Sequence, residues 1–93
     1  MVFVWDENKN RINRRKHGVS FEAAARVFED PQAVSYVDRV VDGEPRWHTI
    51  GLAGGIALVL VVHTVEEENG EEIRIISARK AGPGERAIYE SHQ

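Results

Sequence analysis

The segment Glu72-Ile73-Arg74-Ile75-Ile76-Ser77-Ala78-Arg79-Lys80-Ala81 runs an apolar strand pattern straight into two fixed cations. A guanidinium and an ammonium group at the lip of a sheet form a phosphate-binding edge, because a rigid strand sets their geometry. Further positive charge comes from Arg46 and from Lys16, the last member of the acid-free run Lys9, Arg11, Arg14, Arg15, Lys16. His63 and His17 are candidates for moving protons near neutral pH. His63 is equally well read as a hydrogen-bonded residue beside a core strand, and for His48 that structural reading is the stronger one.

Other chemistries find no support. The histidines (His17, His48, His63 and His92) show no HxxxH spacing and no acidic partner at ligand distance along a helix, so no metal is expected. Neither a P-loop nor a GxGxxG turn occurs; Gly51, Gly54 and Gly55 belong to a hairpin pattern. No serine has a convincing base partner. With no Cys there is no thiol nucleophile, disulfide or thiolate metal site. Phosphate chemistry without metal or cofactor is what remains.

The net charge of −3 argues at first against a nucleic-acid partner. Its distribution reverses that argument. Five of the 15 carboxylates, Glu66, Glu67, Glu68, Glu71 and Glu72, flank one turn, and without them −3 becomes +2. Charges are screened over about 8 Å at physiological salt, so an acidic hairpin tip need not cancel a distant basic face. Ninety-three residues suit one domain, 1–93. The N-terminus lacks the pattern of a signal peptide, and the longest apolar run, Ile56 to Val62, is too short to cross a bilayer. A cytoplasmic chain without membrane association is the expectation.

These side chains must be positioned by a small set of elements. Val2 to Trp5 reads as a strand. Asp6 caps a basic helix that Gly18 ends, and this helix has little apolar surface beyond Ile12. Ser20 caps a second helix whose Phe21, Ala24, Ala25 and Phe28 fall on one face, with Asp30-Pro31 as its stop. Strands follow at Ala33 to Asp38, Arg46 to Leu52, Ile56 to Val65 and Ile73 to Arg79, with turns at Asp42-Gly43, Gly54-Gly55 and Asn69-Gly70. A last helix starts near Pro83. The order βααββββα predicts an α+β fold, an antiparallel meander of four to five strands with two N-terminal helices and a C-terminal helix. A two-residue Asn69-Gly70 turn would pair His63 with Ile76 and Leu60 with Arg79, putting His63, Arg74, Ile76 and Lys80 on one face. A bulge near the strand end would exchange Arg79 and Lys80. A two-residue Gly54-Gly55 loop would set Arg46 opposite His63.

Phe3-Val4-Trp5-Asp6, Lys9, Asn13, Lys16-His17-Gly18, Phe21, Phe28 and Asp30-Pro31 together resemble the opening of BrnT-type toxins. The likeness continues through Arg46-Trp47, Gly51, Arg74 to Ala81, Glu85-Arg86 and Tyr89, in order and over nearly the whole chain. It implies a RelE-like fold and a ribonuclease that cleaves RNA without a metal and arrests translation. It also implies a BrnA-type antitoxin partner, a ribbon-helix-helix DNA-binding protein through which alone promoter DNA would be contacted. RNA brings its own nucleophile, the 2′-hydroxyl, so the protein need only hold the phosphate, move protons and stabilise added charge. On this reading Arg79 clamps the oxyanion, Lys16, Lys80 and Arg46 orient the backbone with Arg74 nearby, and His63 or His17 trades protons. Trp5 or Trp47 would stack a splayed base or fill the core. The alternative is an inactive relative acting only as a protein- or RNA-binding module.

Overall fold

Local signals set the limits of the elements. The computed structural model describes residues 1–68 and 71–93, and the Asn69-Gly70 turn therefore lies outside the described residues. The chain runs β1 (Val2–Val4), α1 (Glu7–His17), α2 (Phe21–Ala25) with a 3-10 continuation (Arg26–Glu29), and β2 (Val34–Val41). It continues through β3 (Glu44–Ala53), β4 (Ala57–Glu66), β5 (Glu72–Lys80) and α3 (Pro83–Ser91). The Asp6 carboxylate accepts from the N–H groups of Asn8 and Lys9 at the start of α1, and Gly18 closes it at φ 73°. A left-handed backbone of this kind suits glycine, which has no Cβ to clash. Glu7 sits in the first turn and Arg14 to His17 in the last, matching the helix dipole. Ser20 caps α2 through the Ala23 N–H, and Pro83 opens α3.

The strands form one sheet in the order β1-β5-β4-β3-β2, with β1 parallel to β5 and the other pairs antiparallel. This is the α+β meander expected. One sheet face carries Val59, Val61, Ile73, Ile75 and Ala78 against Phe21, Ala24 and Val27. The other carries Ile50, Leu58 and Leu60 under Tyr89 and Ile88 of α3. We call these the α2 face and the α3 face. The 3-10 turn packs so close to β3 that a Cβ on Gly51 would lie 2.9 Å from Val27 Cγ1. Asp30 ties that turn to both β3 and α3, its Oδ2 accepting from the Leu52 N–H at 2.8 Å and the Tyr89 hydroxyl at 2.7 Å.

Helix α1 is held by polar contacts. Ile12 is 54% exposed, whereas Asn10 and Asn13 are buried. Asn10 accepts from the Phe21 N–H and donates to Glu22, joining α1 to α2. Asn13 donates to the carbonyls of Val19 and Ala78 and accepts from the Ala78 N–H. β1 pairs only with Glu72 to Arg74, so the outer edge of β5 is uncovered at Ala78 and Asn13 closes it there. Each such backbone group left buried without a partner would cost roughly 1–3 kcal/mol.

Two expectations about register are corrected. β3 and β4 pair Ala53 with Ala57, leaving three residues in the loop, so Trp47 rather than Arg46 lies opposite His63. Between β4 and β5 the pairing steps from Val62↔Ser77 to His63↔Ile75, so Ile76 is the extra residue of a bulge. Ile75 therefore joins the core on the α2 face, while Ser77 and Arg79 keep to the α3 face. A second bulge at Asp38 lies between the pairs Val37↔Trp47 and Arg39↔Arg46.

Candidate active site

The α3 face is only partly covered by its helix. Beyond α3, four strands contribute one row of side chains: Tyr36 pairs with His48, His48 with Val62, and Val62 with Ser77. Arg79 lies in the next row toward α3, opposite Leu60. In the next row on the other side are Arg39 and Arg46, which pair with each other, and Arg74, which pairs with Thr64. Alternation along the strands thus places four arginines around the row. A cleft of about 260 Å³ opens here, lined by Asp38, Arg39, Arg46, His48, Val62 and Ser77 among others. Both bulge residues border this region, and bulges are a common means of re-aiming side chains beside a site.

The polar groups are ordered by one another. Tyr36 Oη lies 3.2 Å from His48 Nδ1, with the two rings nearly edge to face at 5.3 Å. His48 Nε2 lies 3.6 Å from Asp38 Oδ2, which also accepts from Arg39 Nε at 3.0 Å. Arg79 Nη1 donates to Glu85 Oε1 at 2.8 Å, and the same oxygen accepts the Gly82 N–H at the start of α3. The bond from Arg79 and then the one from Gly82 hold the Glu85 carboxyl below its ordinary pKa. Arg39 does the same for Asp38. Burial raises the Tyr36 phenol, and the charges of Glu85 and Asp38 add to this against the pull of Arg79. Tyr36 is therefore a protonated donor at neutral pH. The Nε of Arg46 is buried without a hydrogen-bond partner. An anion in this cleft would meet a donor that nothing else engages.

The residues singled out from sequence divide into three groups. Arg46, Arg74 and Arg79 are brought together on the α3 face. Lys16 and His17 lie in a neighbouring groove with Ile12 and Ile76, which meets the first cleft at Ser77. His63, Trp47, Lys80 and Trp5 are elsewhere. His63 occupies the α2 face, 2% exposed, with its Nε2 2.7 Å from Thr49 Oγ1 and its ring 5.0 Å from that of Phe28. Burial pushes its pKa down to about 4, against the weaker opposing effect of the Thr64 carbonyl. This geometry corrects the proton-carrying expectation for His63, because the sheet separates it from the arginines. Trp47 shares that face, Lys80 pairs with Val59 there, and Trp5 packs edge-on to Phe21 while its Nε1 donates to Glu7. Tyr36, Asp38, Ser77 and Glu85 were missed, and His48 was read as structural. Tyr36↔His48 pairing follows only once the Asp42-Gly43 turn and the Asp38 bulge are known. Among the described residues, no group of three His, Asp or Glu side chains converges as metal ligands. Nor is any helix long and apolar enough to cross a membrane.

A five-stranded sheet with helices at both faces and an arginine-ringed polar row defines the RelE-like class of small toxins. Residues 5–85 match the family described as the ribonuclease toxin BrnT of type II toxin–antitoxin systems, and the chain belongs to that family. The crystal structure of the Brucella abortus ribonuclease toxin BrnT superposes with a TM-score of 0.66 at 25% identity, over 88% of this chain and 99% of that one. No curated protein matches the sequence. A toxin of this family has an antitoxin as its partner.

Proposed function

We propose that the chain is a metal-independent endoribonuclease whose cleavage of RNA inhibits translation, and that the Tyr36–His48–Ser77 row with its arginines is the catalytic centre. The observation that carries this reading is the joining of proton carriers and fixed cations on one open sheet face. Arg79, Arg46 and Arg74 supply the positive charge that a five-coordinate phosphorus demands, and electrostatic stabilisation of this kind is commonly the largest catalytic effect.

The proton path uses the Tyr36–His48 contact of 3.2 Å. The 2′-oxygen attacks phosphorus and gives its proton to His48 Nε2, where the Asp38 carboxylate stabilises the imidazolium. The bond to the 5′-oxygen breaks as that oxygen takes the Tyr36 proton, and His48 Nδ1–H returns a proton to the phenolate. The products are a 2′,3′-cyclic phosphate and a 5′-hydroxyl, and the proton count is unchanged. General acid–base assistance of this type contributes roughly 10²–10⁴-fold. Glu85 fixes the Arg79 fork until phosphate oxygens compete for it.

The neutralising partner on this reading is a BrnA-type antitoxin with a ribbon-helix-helix DNA-binding region, the pair acting in the cytoplasm and reaching promoter DNA through the antitoxin. Antitoxin-free protein incubated with single-stranded RNA in EDTA tests the assignment. Fragments ending in 2′,3′-cyclic phosphate are expected. Intact RNA with a folded protein would return the chain to the role of a binding module.

A further inference from the structure

The groove beside the catalytic row has no role in the chemistry just described. It lies between α1 and the bulged part of β5, measures about 210 Å³, and includes Lys9, Ile12, Lys16, His17, Ile76 and Ser77 in its lining. Ser77 also lines the cleft that holds Arg46 and His48, so the two depressions adjoin through one side chain.

Its composition is specific. Lys9, Ile12, Asn13 and Lys16 fall at i, i+3, i+4 and i+7 of α1, hence on one helical face. Ile12 contributes to neither hydrophobic core and is 54% exposed, an unusual place for a branched apolar side chain between two lysines. Across the gap stands Ile76, the residue that the bulge displaces from strand alternation. No carboxylate lines the groove among the described residues. The buried Asn13 amide bonds α1 to Ala78 of β5, so the two walls are held at a fixed spacing before any ligand arrives. A prearranged site of this kind avoids much of the ordering cost of binding.

We infer that this groove is a second nucleotide subsite for single-stranded RNA. It takes an unstacked base between Ile12 and Ile76 and the adjoining phosphate on Lys9 and Lys16, one step along the strand from the bond being cut. The inference rests on the ribonuclease reading of the neighbouring cleft. An apolar slot bordered only by cations matches a base with its phosphate, and a base inside a duplex cannot enter it. An acidic, apolar protein segment is the competing occupant. RNA is favoured by the direct continuity with the catalytic row at Ser77.

The test compares a dinucleotide with a single-stranded hexanucleotide, using free full-length toxin and its Ile12→Ser and Lys9→Ala/Lys16→Ala variants. Fluorescence binding of the hexanucleotide is read alongside cleavage. Ile12→Ser should weaken hexanucleotide binding and its kcat/KM roughly tenfold, the effect of losing one stacked base, and leave dinucleotide cleavage unchanged. The double lysine variant should lower the salt dependence of hexanucleotide binding by about 1.4 in the log–log slope, about 0.7 for each lost phosphate contact. Equal losses on both substrates, or unchanged binding and cleavage of the hexanucleotide, would overturn the subsite. So would variants that bind RNA normally but lose affinity for the antitoxin. Wild-type protein that binds the hexanucleotide through Ile12 yet cuts neither substrate would sink the ribonuclease reading and retain the subsite.

Discussion

The side chain of Asn13 completes the edge of β5 as a neighbouring strand would: its amide donates to the Ala78 carbonyl at 2.8 Å and accepts the Ala78 N–H at 3.2 Å. A helix without an apolar stripe is thereby fastened to the sheet, and the groove wall beside the catalytic row is fastened with it. Asn13→Ala would strip partners from Ala78 and from the Val19 carbonyl. We expect a loss of at least about 3 kcal/mol, given about 1–3 kcal/mol for each buried group left unpaired. Chemical denaturation measures it. A loss below 1 kcal/mol would mean that water or a shifted α1 replaces the amide.

The activity prediction separates the two faces of the sheet. Tyr36→Phe and His48→Asn should each lower kcat by roughly 10²–10⁴-fold with little change in the melting temperature. Arg79→Lys keeps the charge but loses the planar fork, so it should also fall well below wild type. His63→Gln should cleave RNA at close to the wild-type rate. Single-turnover cleavage of one RNA by all four variants decides this, and full activity in Tyr36→Phe would remove the phenol from the proton path.

His63 should instead appear in the pH dependence of stability. Its folded pKa of about 4 lies below the ordinary 6.5, so across that interval the unfolded chain binds more protons. Stability is therefore complete above the unfolded value and declines as pH falls toward the folded one. Between neutrality and about pH 5 the decline should reach about 2 kcal/mol. Guanidinium unfolding of wild type and His63→Gln measures it, the variant being flatter over this window. Lower pH would mix in the carboxylates of Asp38 and Glu85, which are held below their ordinary values.

Gly51 allows the 3-10 turn to sit on β3. A methyl group there would meet Val27 Cγ1 at 2.9 Å, Ala33 Cβ at 3.1 Å and Asp30 Oδ2 at 3.2 Å. Gly51→Ala should cost about 1–3 kcal/mol as the turn is pushed outward. Thermal melts should show a fall of roughly 4–8 °C for each kcal/mol lost. An unchanged melt would show that the turn moves freely, contrary to its bonds through Asp30.

Much of the fold was legible because its signals are local. Asp6, Gly18, Ser20 and Pro83 mark helix ends through bonds to residues a few positions away, and the order of elements follows. The candidate site was legible only in part. Arg79, Arg46 and Arg74 could be proposed from charge and strand position, but which face a side chain takes depends on every insertion along the strand. The bulges at Asp38 and Ile76 and the three-residue loop after Ala53 reset that alternation through contacts distant in sequence. For the same reason His63 was placed with the arginines and Tyr36 with none. The anchoring by Asn10 and Asn13 is likewise invisible in an amphipathicity pattern, which counts apolar residues only.

The displaced Ile76 gives β5 an uncommon tolerance. Removing one residue from an ordinary half-buried strand turns every later side chain to the wrong side. Excising Ile76 would instead merge two segments already in phase, with Ile75 still inward and Ser77 and Arg79 still outward. A shortened descendant of this toxin would keep its cutting residues and lose one wall of its neighbouring groove, so natural length variation at this point would alter which transcripts are chosen before it altered whether any are cut.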